Sequence, residues 1–95
     1  MPAYIIAMVN VTDPAKYPEY AKGAGPANAK YGGKFLVRGG PADSKEGGWN
    51  PKRLVVLEFP STDQARKWYQ SPEYAPALAM RLKAAKAKMV IVEGA

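Results

Sequence analysis

Four runs of β-branched and apolar residues, separated by segments with helical periodicity, set the strongest limit on how this chain folds. The runs cover residues 3–11, 34–39, 53–60 and 87–94. One helical segment follows the first run and another, in two pieces, follows the third, which gives the order β-α-β-β-α-β. This order matches the split βαβ, or ferredoxin-like, plan of a four-stranded antiparallel sheet with helices on one face. We therefore predict an α+β fold, formed as a single domain over residues 1–95.

The first helical segment, residues 16–31, has an aromatic face. The residues on that face are Tyr17, Tyr20, Ala21, Ala24, Ala27, Asn28 and Tyr31. Pro18 fits the first turn of a helix. Gly23, Gly25 and Pro26 lie in the middle of the segment and predict a kink or a break there.

The second helical region contains two start signals. Ser61 and Gln64 form the S-x-x-Q pattern of a capping box, which opens a short helix. The inward residues of this short helix are expected to be Ala65, Trp68 and Tyr69. Ser71 followed by Pro72 opens a second helical piece, which is predicted to extend to about Ala85. On a helical wheel this piece has an apolar stripe made of Tyr74, Ala75, Leu78, Ala79, Leu82 and Ala85.

Both faces of the predicted sheet are rich in apolar side chains. Because side chains alternate along a strand, each strand divides into two sets. The wholly apolar set, expected to face the helices, is Ile5, Ala7, Val9, Val11, Phe35, Val37, Val55, Leu57, Phe59, Val90 and Val92. The opposite set is Tyr4, Ile6, Met8, Asn10, Leu36, Arg38, Leu54, Val56, Glu58, Met89, Ile91 and Glu93. Since the second set is too apolar for open water and no helix remains to cover it, we expect a homodimer that packs through this face.

The chain contains neither cysteine nor histidine. This composition removes disulfides, metal ligation by thiolate or imidazole, and haem held by a proximal histidine. We therefore expect no cofactor and no metal. Any catalysis would have to use tyrosine, carboxylate, lysine, arginine or amide groups.

The net charge of +6 raises the question of a nucleic-acid partner. Most of the basic residues are scattered, and the densest stretch, RLKAAKAK at residues 81–88, has no aromatic residues between its charges. A solvated basic face is the better interpretation, so no nucleic-acid partner is expected. No apolar run approaches the roughly 18 residues of a membrane span. The N-terminus lacks the pattern of a signal peptide, and we expect a cytoplasmic location without membrane attachment.

Three stretches, YGGKFLVRGG, PKRLVVLEFPS and WYQSPEYAPALAMR, resemble the uncharacterised family called domain of unknown function 1330. The resemblance covers nearly the whole chain. It implies a ferredoxin-like protomer of the dimeric α+β barrel superfamily, whose members include cofactor-independent monooxygenases, muconolactone isomerase and haem-dependent enzymes. It implies no particular reaction, because one fold hosts many activities. The absence of histidine separates this chain from the haem branch.

One candidate ligand site lies between the helices and the sheet. Arg81 is at the edge of its helical stripe, next to Tyr74, and it could receive a carboxylate or phenolate at the mouth of a pocket. The other candidates are Tyr17, Tyr20, Asn28 and Trp68. The alternative is that Arg81 extends to water and pairs with a surface acid, while the aromatic rings only fill the core.

Arg38 is a charged residue in a strand and is expected to have a partner. The favoured interpretation is an ion pair with Glu58 or Glu93 on the same face of the sheet, within the dimer interface. If a ligand enters the barrel instead, Arg38, Glu58 and Asn10 would orient it. Whether the pKa of Glu58 is raised by burial or lowered by Arg38 stays open.

Three functions are compatible with these features. The first is a dimeric small-molecule-binding domain with its pocket between sheet and helices. The second is a cofactor-independent enzyme, of monooxygenase or isomerase type, that acts on a small aromatic or lactone-like substrate. The third is a non-catalytic dimeric accessory module.

Overall fold

The structure, a computed structural model, describes residues 1–95. The strands are β1 (Ala3–Val11), β2 (Lys34–Arg38), β3 (Leu54–Phe59) and β4 (Ala85–Glu93). The helices are α1 (Tyr17–Lys30), α2 (Thr62–Tyr69) and α3 (Ala75–Ala84). The sheet has the order β2-β3-β1-β4, with every neighbouring pair antiparallel. The predicted α+β, ferredoxin-like fold is confirmed, and none of its helices has the length and hydrophobicity needed to cross a membrane.

Helix α1 is continuous from Tyr17 to Lys30, so of the predicted kink or break at its glycines and proline, the break does not occur. Pro26 lacks the N–H that would bond to the carbonyl of Lys22, but both residues are exposed and water can satisfy that carbonyl. Gly23 serves packing instead. A Cβ on Gly23 would lie 3.3 Å from the Cβ of Ala77, so the missing side chain lets α1 and α3 approach closely.

Two serines organise the α2–α3 region. Ser61 Oγ accepts a hydrogen bond from the Gln64 N–H at 3.1 Å, as the capping pattern predicted. Ser71 Oγ accepts from the Tyr74 N–H at 3.0 Å and donates to the Trp68 carbonyl at 2.7 Å. Ser71 therefore fixes a turn, and α3 starts after that turn, a few residues later than the sequence predicted.

The buried face of α3 differs from the predicted stripe. The buried residues of this region are Tyr74, Ala77, Arg81 and Ala84. Leu82 is 68% exposed, and Tyr69 of α2 is 38% exposed instead of turned inward. Because alanines occur around the whole of α3, the helical wheel offers little contrast between faces. The consequence is that Arg81 lies at the centre of the buried face and not at its edge.

A β-bulge in β2 reverses the predicted orientation of two residues. Between Phe35 and Val37, β2 has one residue more than the facing part of β3, so Leu36 is the extra residue. A bulge shifts the alternation of side chains by one position. Val37 therefore faces away from the helices and Arg38 faces them. The prediction that Arg38 shares a face with Glu58 is wrong.

Strand β4 also presents the opposite face from the one predicted. Met89 pairs with Ala7 of the core and packs with Ile91 against the buried cluster. Val90 and Val92 point the other way and are 57% and 43% exposed. Over the whole strand the alternation does identify the exposed set, because Lys86 and Lys88 belong to the same set as Val90 and Val92. The predicted strand begins only at Ala87 and misses most of this contrast.

The face of the sheet away from the helices, called here the open face, is covered by no helix. Its apolar side chains are Tyr4, Ile6, Met8, Val37, Leu54, Val56, Val90 and Val92. Trp49, from the long connection between β2 and β3, reaches one end of this face, where its Nε1 donates to the Met8 sulfur at 3.1 Å. A broad apolar surface remains exposed, as the sequence predicted.

A polar clamp joins the end of α1 to the turn before α3. Glu73 accepts hydrogen bonds from Lys30 Nζ at 2.7 Å and from the Tyr31 hydroxyl at 2.6 Å. The bond from Lys30, followed by the bond from Tyr31, lowers the pKa of Glu73 from 4.5 to about 2. The clamp therefore depends on an ionised Glu73.

We expect the clamp to add an acid-sensitive contribution to stability. Because the pKa of Glu73 is lower in the folded chain, its contribution is complete above pH 4.5 and is lost as the pH falls to about 2. Urea unfolding between these limits should show a steeper decline for the wild type than for Glu73→Gln. Equal slopes for the two proteins would contradict the clamp.

Candidate functional site

A cavity of about 50 Å³ lies between α1, α2, α3 and the helix-facing side of the sheet. Most of its lining is hydrophobic and comes from the core strands, including Ile5, Val9 and Leu57. The predicted site residues that line it are Tyr17, Tyr20, Asn28, Arg38, Trp68 and Arg81. The structure thus brings most of the predicted candidates together at one place.

Arg81 is the deepest charged group of the cavity. The residue is only 5% exposed, and its Nε has no hydrogen-bond partner. No aspartate or glutamate lines the cavity, and no carboxylate lies within 4.0 Å of the Arg81 guanidinium. The alternative in which Arg81 extends to water and pairs with a surface acid is therefore wrong.

Two further arginines line the same cavity beside aromatic rings. The guanidinium carbon of Arg53 lies 5.5 Å from the centre of the Tyr17 ring. That of Arg38 lies 4.4 Å from the centre of the Phe35 ring. Both distances are in the range of cation–π attraction. The rings thus hold two guanidinium groups at the cavity, again without a carboxylate partner.

Tyr20 places a hydroxyl group in this cationic environment. Its oxygen lies 3.0 Å from the hydroxyl oxygen of Tyr74. Burial, followed by the neighbouring Tyr74, raises the pKa of Tyr20 far above its ordinary value, and the positive charge of Arg81 opposes this only in part. Tyr20 is therefore neutral at physiological pH and can donate or accept a hydrogen bond.

Asn28 and Trp68 add polar atoms to the same walls. Both residues are buried, and Asn28 Oδ1 and Trp68 Nε1 have no hydrogen-bond partner in the chain. Buried polar groups are almost always satisfied, and unpaired ones concentrate where a ligand or water is bound. No group of three or more carboxylates comes together in the structure.

Three of the predicted site residues do not line the cavity. Tyr74 is fully buried behind it, in contact with Tyr20 and with the ring of Trp68 at 4.1 Å. Asn10 and Glu58 lie on the open face, where Glu58 is 4.0 Å from Lys34. The predicted group of Arg38, Glu58 and Asn10 therefore does not form, because the bulge in β2 turns Arg38 to the other side of the sheet.

Arg53 is the cavity residue that the sequence analysis missed. A signal for it was present, because Arg53 has the same alternation as Val55 and Leu57, which face the helices. An arginine in that set is as unusual as Arg38 at the end of β2. Its backbone is fixed at the start of β3, where its carbonyl accepts a hydrogen bond from the Val9 N–H at 2.8 Å.

Gly39 has a specific part in placing Arg53. Its φ is +71°, a region that favours glycine, and a Cβ at this position would collide with the Arg53 guanidinium. We expect Gly39→Ala to lower the free energy of unfolding by about 1–2 kcal/mol, the cost of a left-handed residue, before any shift of Arg53 is counted. Gly40→Ala is the matched control, since nothing lies within 4 Å of its added Cβ. Equal unfolding midpoints in urea for the two variants would contradict this role.

Nearly the whole chain resembles one known protein family. The family described as Domain of unknown function (DUF1330) matches residues 2–95. A search among curated proteins found no significant match.

Solved structures with the same fold come from several bacteria. A protein of unknown function from Rhodopseudomonas palustris, RPA0582, has a TM-score of 0.77 at 19% identity, covering 99% of this chain and 82% of that one. A dimeric ferredoxin-like protein of unknown function from Jannaschia sp. CCS1 has a TM-score of 0.72 at 12% identity, covering 99% and 100%. SnoaB, a cofactor-independent oxygenase from Streptomyces nogalater, has a TM-score of 0.71 at 12% identity, covering 99% and 93%.

At these low identities, the structural likeness establishes a common fold and nothing about activity. The family match is of a different kind, because it spans nearly every residue, including the strands and helices that build the cavity. This chain belongs to the family Domain of unknown function (DUF1330).

Proposed function

We propose that this protein is a dimeric small-molecule-binding domain whose ligand is an organic anion held between the helices and the sheet. The observation that carries the proposal is the buried guanidinium of Arg81, which has no carboxylate partner in the chain. A buried charge is costly unless it is paired and hydrogen-bonded. A carboxylate or phenolate of a ligand would supply the missing partner.

The remaining walls of the cavity suit the uncharged part of such a ligand. Apolar side chains from β1 and β3 form one wall, and the rings of Tyr17 and Trp68 belong to the opposite side. Sites for small molecules commonly combine a mostly apolar lining with a few directed polar groups. The hydroxyl of Tyr20 and the amide of Asn28 are polar groups of this kind.

The dimeric part of the proposal rests on the open face. Ile6, Val90 and Val92 expose 37%, 57% and 43% of their surface there, and no helix of the chain covers them. A second copy related by a two-fold axis would pair this face with itself. The protein from Jannaschia sp. CCS1, which has the same fold and is described as dimeric, supports a dimer.

Thermal unfolding with matched probes tests the ligand. Hexanoate and benzoate should raise the melting temperature of the wild type, whereas hexanamide and benzamide, which lack the charge, should not. Arg81→Met should abolish the response, and Arg66→Met, which alters an exposed arginine of α2, should preserve it. An equal response to acids and amides, or none to either, would refute the proposal.

A second candidate is a cofactor-independent enzyme acting on an anionic substrate. The observation that favours it is a neutral Tyr20 lying in the same cavity as Arg81, which pairs a proton donor with a group that stabilises negative charge. If this candidate is correct, Tyr20→Phe should retain anion binding and lose turnover. Loss of binding in Tyr20→Phe would identify a binding role instead.

A further inference from the structure

We infer that the ligand carries two anionic groups, one bound by Arg81 inside the cavity and the second bound by Arg53 and Arg38 at its mouth. The ligand class is then a small dicarboxylate, or a carboxylic acid with another ionised oxygen. This inference rests on the proposed function and adds the number and placement of the ligand's charges.

The exposure of the three arginines orders them from the floor of the cavity to its mouth. Arg81 is buried, Arg53 is half-buried and Arg38 is exposed, although all three line one cavity. A ligand with one charge would neutralise the inner group and leave the outer two unpaired. A ligand with two separated negative charges could instead pair with both the buried and the exposed arginines.

Arg53 and Arg38 lie near each other where β2 ends and β3 begins. The Arg53 guanidinium packs directly against Gly39, the residue that follows Arg38 in the chain. Arg38 pairs with Val55, which follows Arg53 by two residues on the same side of the sheet, so the two arginines are neighbours there. An anion bound at both would reduce the repulsion between their like charges. Arg53 forms no salt bridge and its Nε has no hydrogen-bond partner, so no acidic group of the chain competes with an anion for its guanidinium.

Arg66, the fourth arginine of the chain, behaves as a surface arginine usually does. Arg66 on α2 lies 3.5 Å from Asp63 and extends into solvent. Arg53 and Arg38 instead lie over the rings of Tyr17 and Phe35. Stacking on rings limits the motion of each side chain before a ligand arrives, which lowers the entropy cost of binding.

The size of the cavity also indicates that one part of the ligand lies inside it and the other part lies at its mouth. Its volume of about 50 Å³ admits a carboxylate-sized group with a short apolar portion. Small-molecule sites typically offer roughly 300 Å³ or more, so the rest of a ligand has to lie outside the enclosed part. The outer part would therefore lie at the mouth, beside Arg53 and Arg38.

Calorimetric titration with paired acids tests the inference on the full chain. The monoacids butyrate, pentanoate and hexanoate are compared with the diacids succinate, glutarate and adipate. We expect the best diacid to bind at least about tenfold more tightly than its matched monoacid, as one additional charge-assisted contact allows. Arg53→Met and Arg38→Met should each lower diacid affinity far more than monoacid affinity and so remove most of this preference. Arg66→Met should preserve it.

Salt gives a second readout that does not depend on substitutions. The mouth is exposed and the floor is buried, so added salt should weaken the diacid preference more than it weakens monoacid binding. Monoacid binding with no diacid preference, or a preference that survives the double variant Arg38→Met and Arg53→Met, would overturn the inference and leave the proposed function standing. Failure of every acid to bind would overturn both. Circular dichroism of each variant confirms that its fold is intact.

Discussion

Replacing Arg81 by methionine is expected to raise the stability of the unliganded protein while abolishing anion binding. Arg81 is 5% exposed as a residue, its Nε is buried without a hydrogen-bond partner, and no carboxylate pairs with its guanidinium. Burying a polar group without compensation costs about 1–3 kcal/mol in proteins, and methionine removes that cost at similar length. For a chain of this size, 1 kcal/mol corresponds to roughly 4–8 °C in melting temperature.

This expectation separates a binding role for Arg81 from a structural one. A residue kept for the fold destabilises the protein when it is replaced, whereas a residue kept for a ligand often does the opposite. Urea and thermal unfolding of Arg81→Met, with and without hexanoate, measure both effects. A destabilised Arg81→Met protein that still responds to hexanoate would contradict the account of this site.

Placing a charge at the centre of the open face is expected to dissociate the dimer. Ile6 pairs with Val56 on one side and Val90 on the other, so its side chain lies in the middle of the apolar surface. A lysine there would be buried without a partner in a two-sheet interface. We expect Ile6→Lys to weaken dimerisation by about 3 kcal/mol, or more than 100-fold in the dissociation constant, as for a central interface residue.

Light scattering at micromolar concentration measures this change. The wild type should have the mass of two chains and Ile6→Lys the mass of one. Ala29→Lys adds the same charge on the exposed side of α1 and is the control, which should remain dimeric. A monomeric wild type would contradict the dimer, and so would a dimeric Ile6→Lys.

The sequence predicts the order of the elements and the sheet better than it predicts which residues face the site. Ser61 is predicted correctly because its hydrogen bond to the Gln64 N–H is local, whereas Ser71 forms a turn and the helix begins only at Ala75. The alternation in β1 and β3 is also decisive, since one set of each strand is wholly apolar. These two central strands were therefore assigned to the correct faces.

The incorrect predictions of side-chain orientation occur where the local sequence shows little contrast between buried and exposed sets of residues. Nothing in KFLVR marks Leu36 as the extra residue of a bulge, because the bulge arises from pairing with β3. In β4 the contrast comes from Lys86 and Lys88, and Lys86 lies before the start of the predicted strand. In α3 the alanines hide the burial of Arg81. Each of these errors displaced an arginine or an aliphatic residue to the wrong side of a helix or strand.

The most direct measurement of the central claim is a nitrogen-15 NMR titration of the arginine Nε–H groups with hexanoate. The Arg81 signal is assigned by its loss in Arg81→Met. Because Arg81 Nε has no partner in the unliganded chain, its proton should shift downfield when a carboxylate binds, and the shift should saturate. The signal of exposed Arg66 should stay in place. An Arg81 signal that does not move, or one that moves no more than that of Arg66, would contradict an anion site in this cavity.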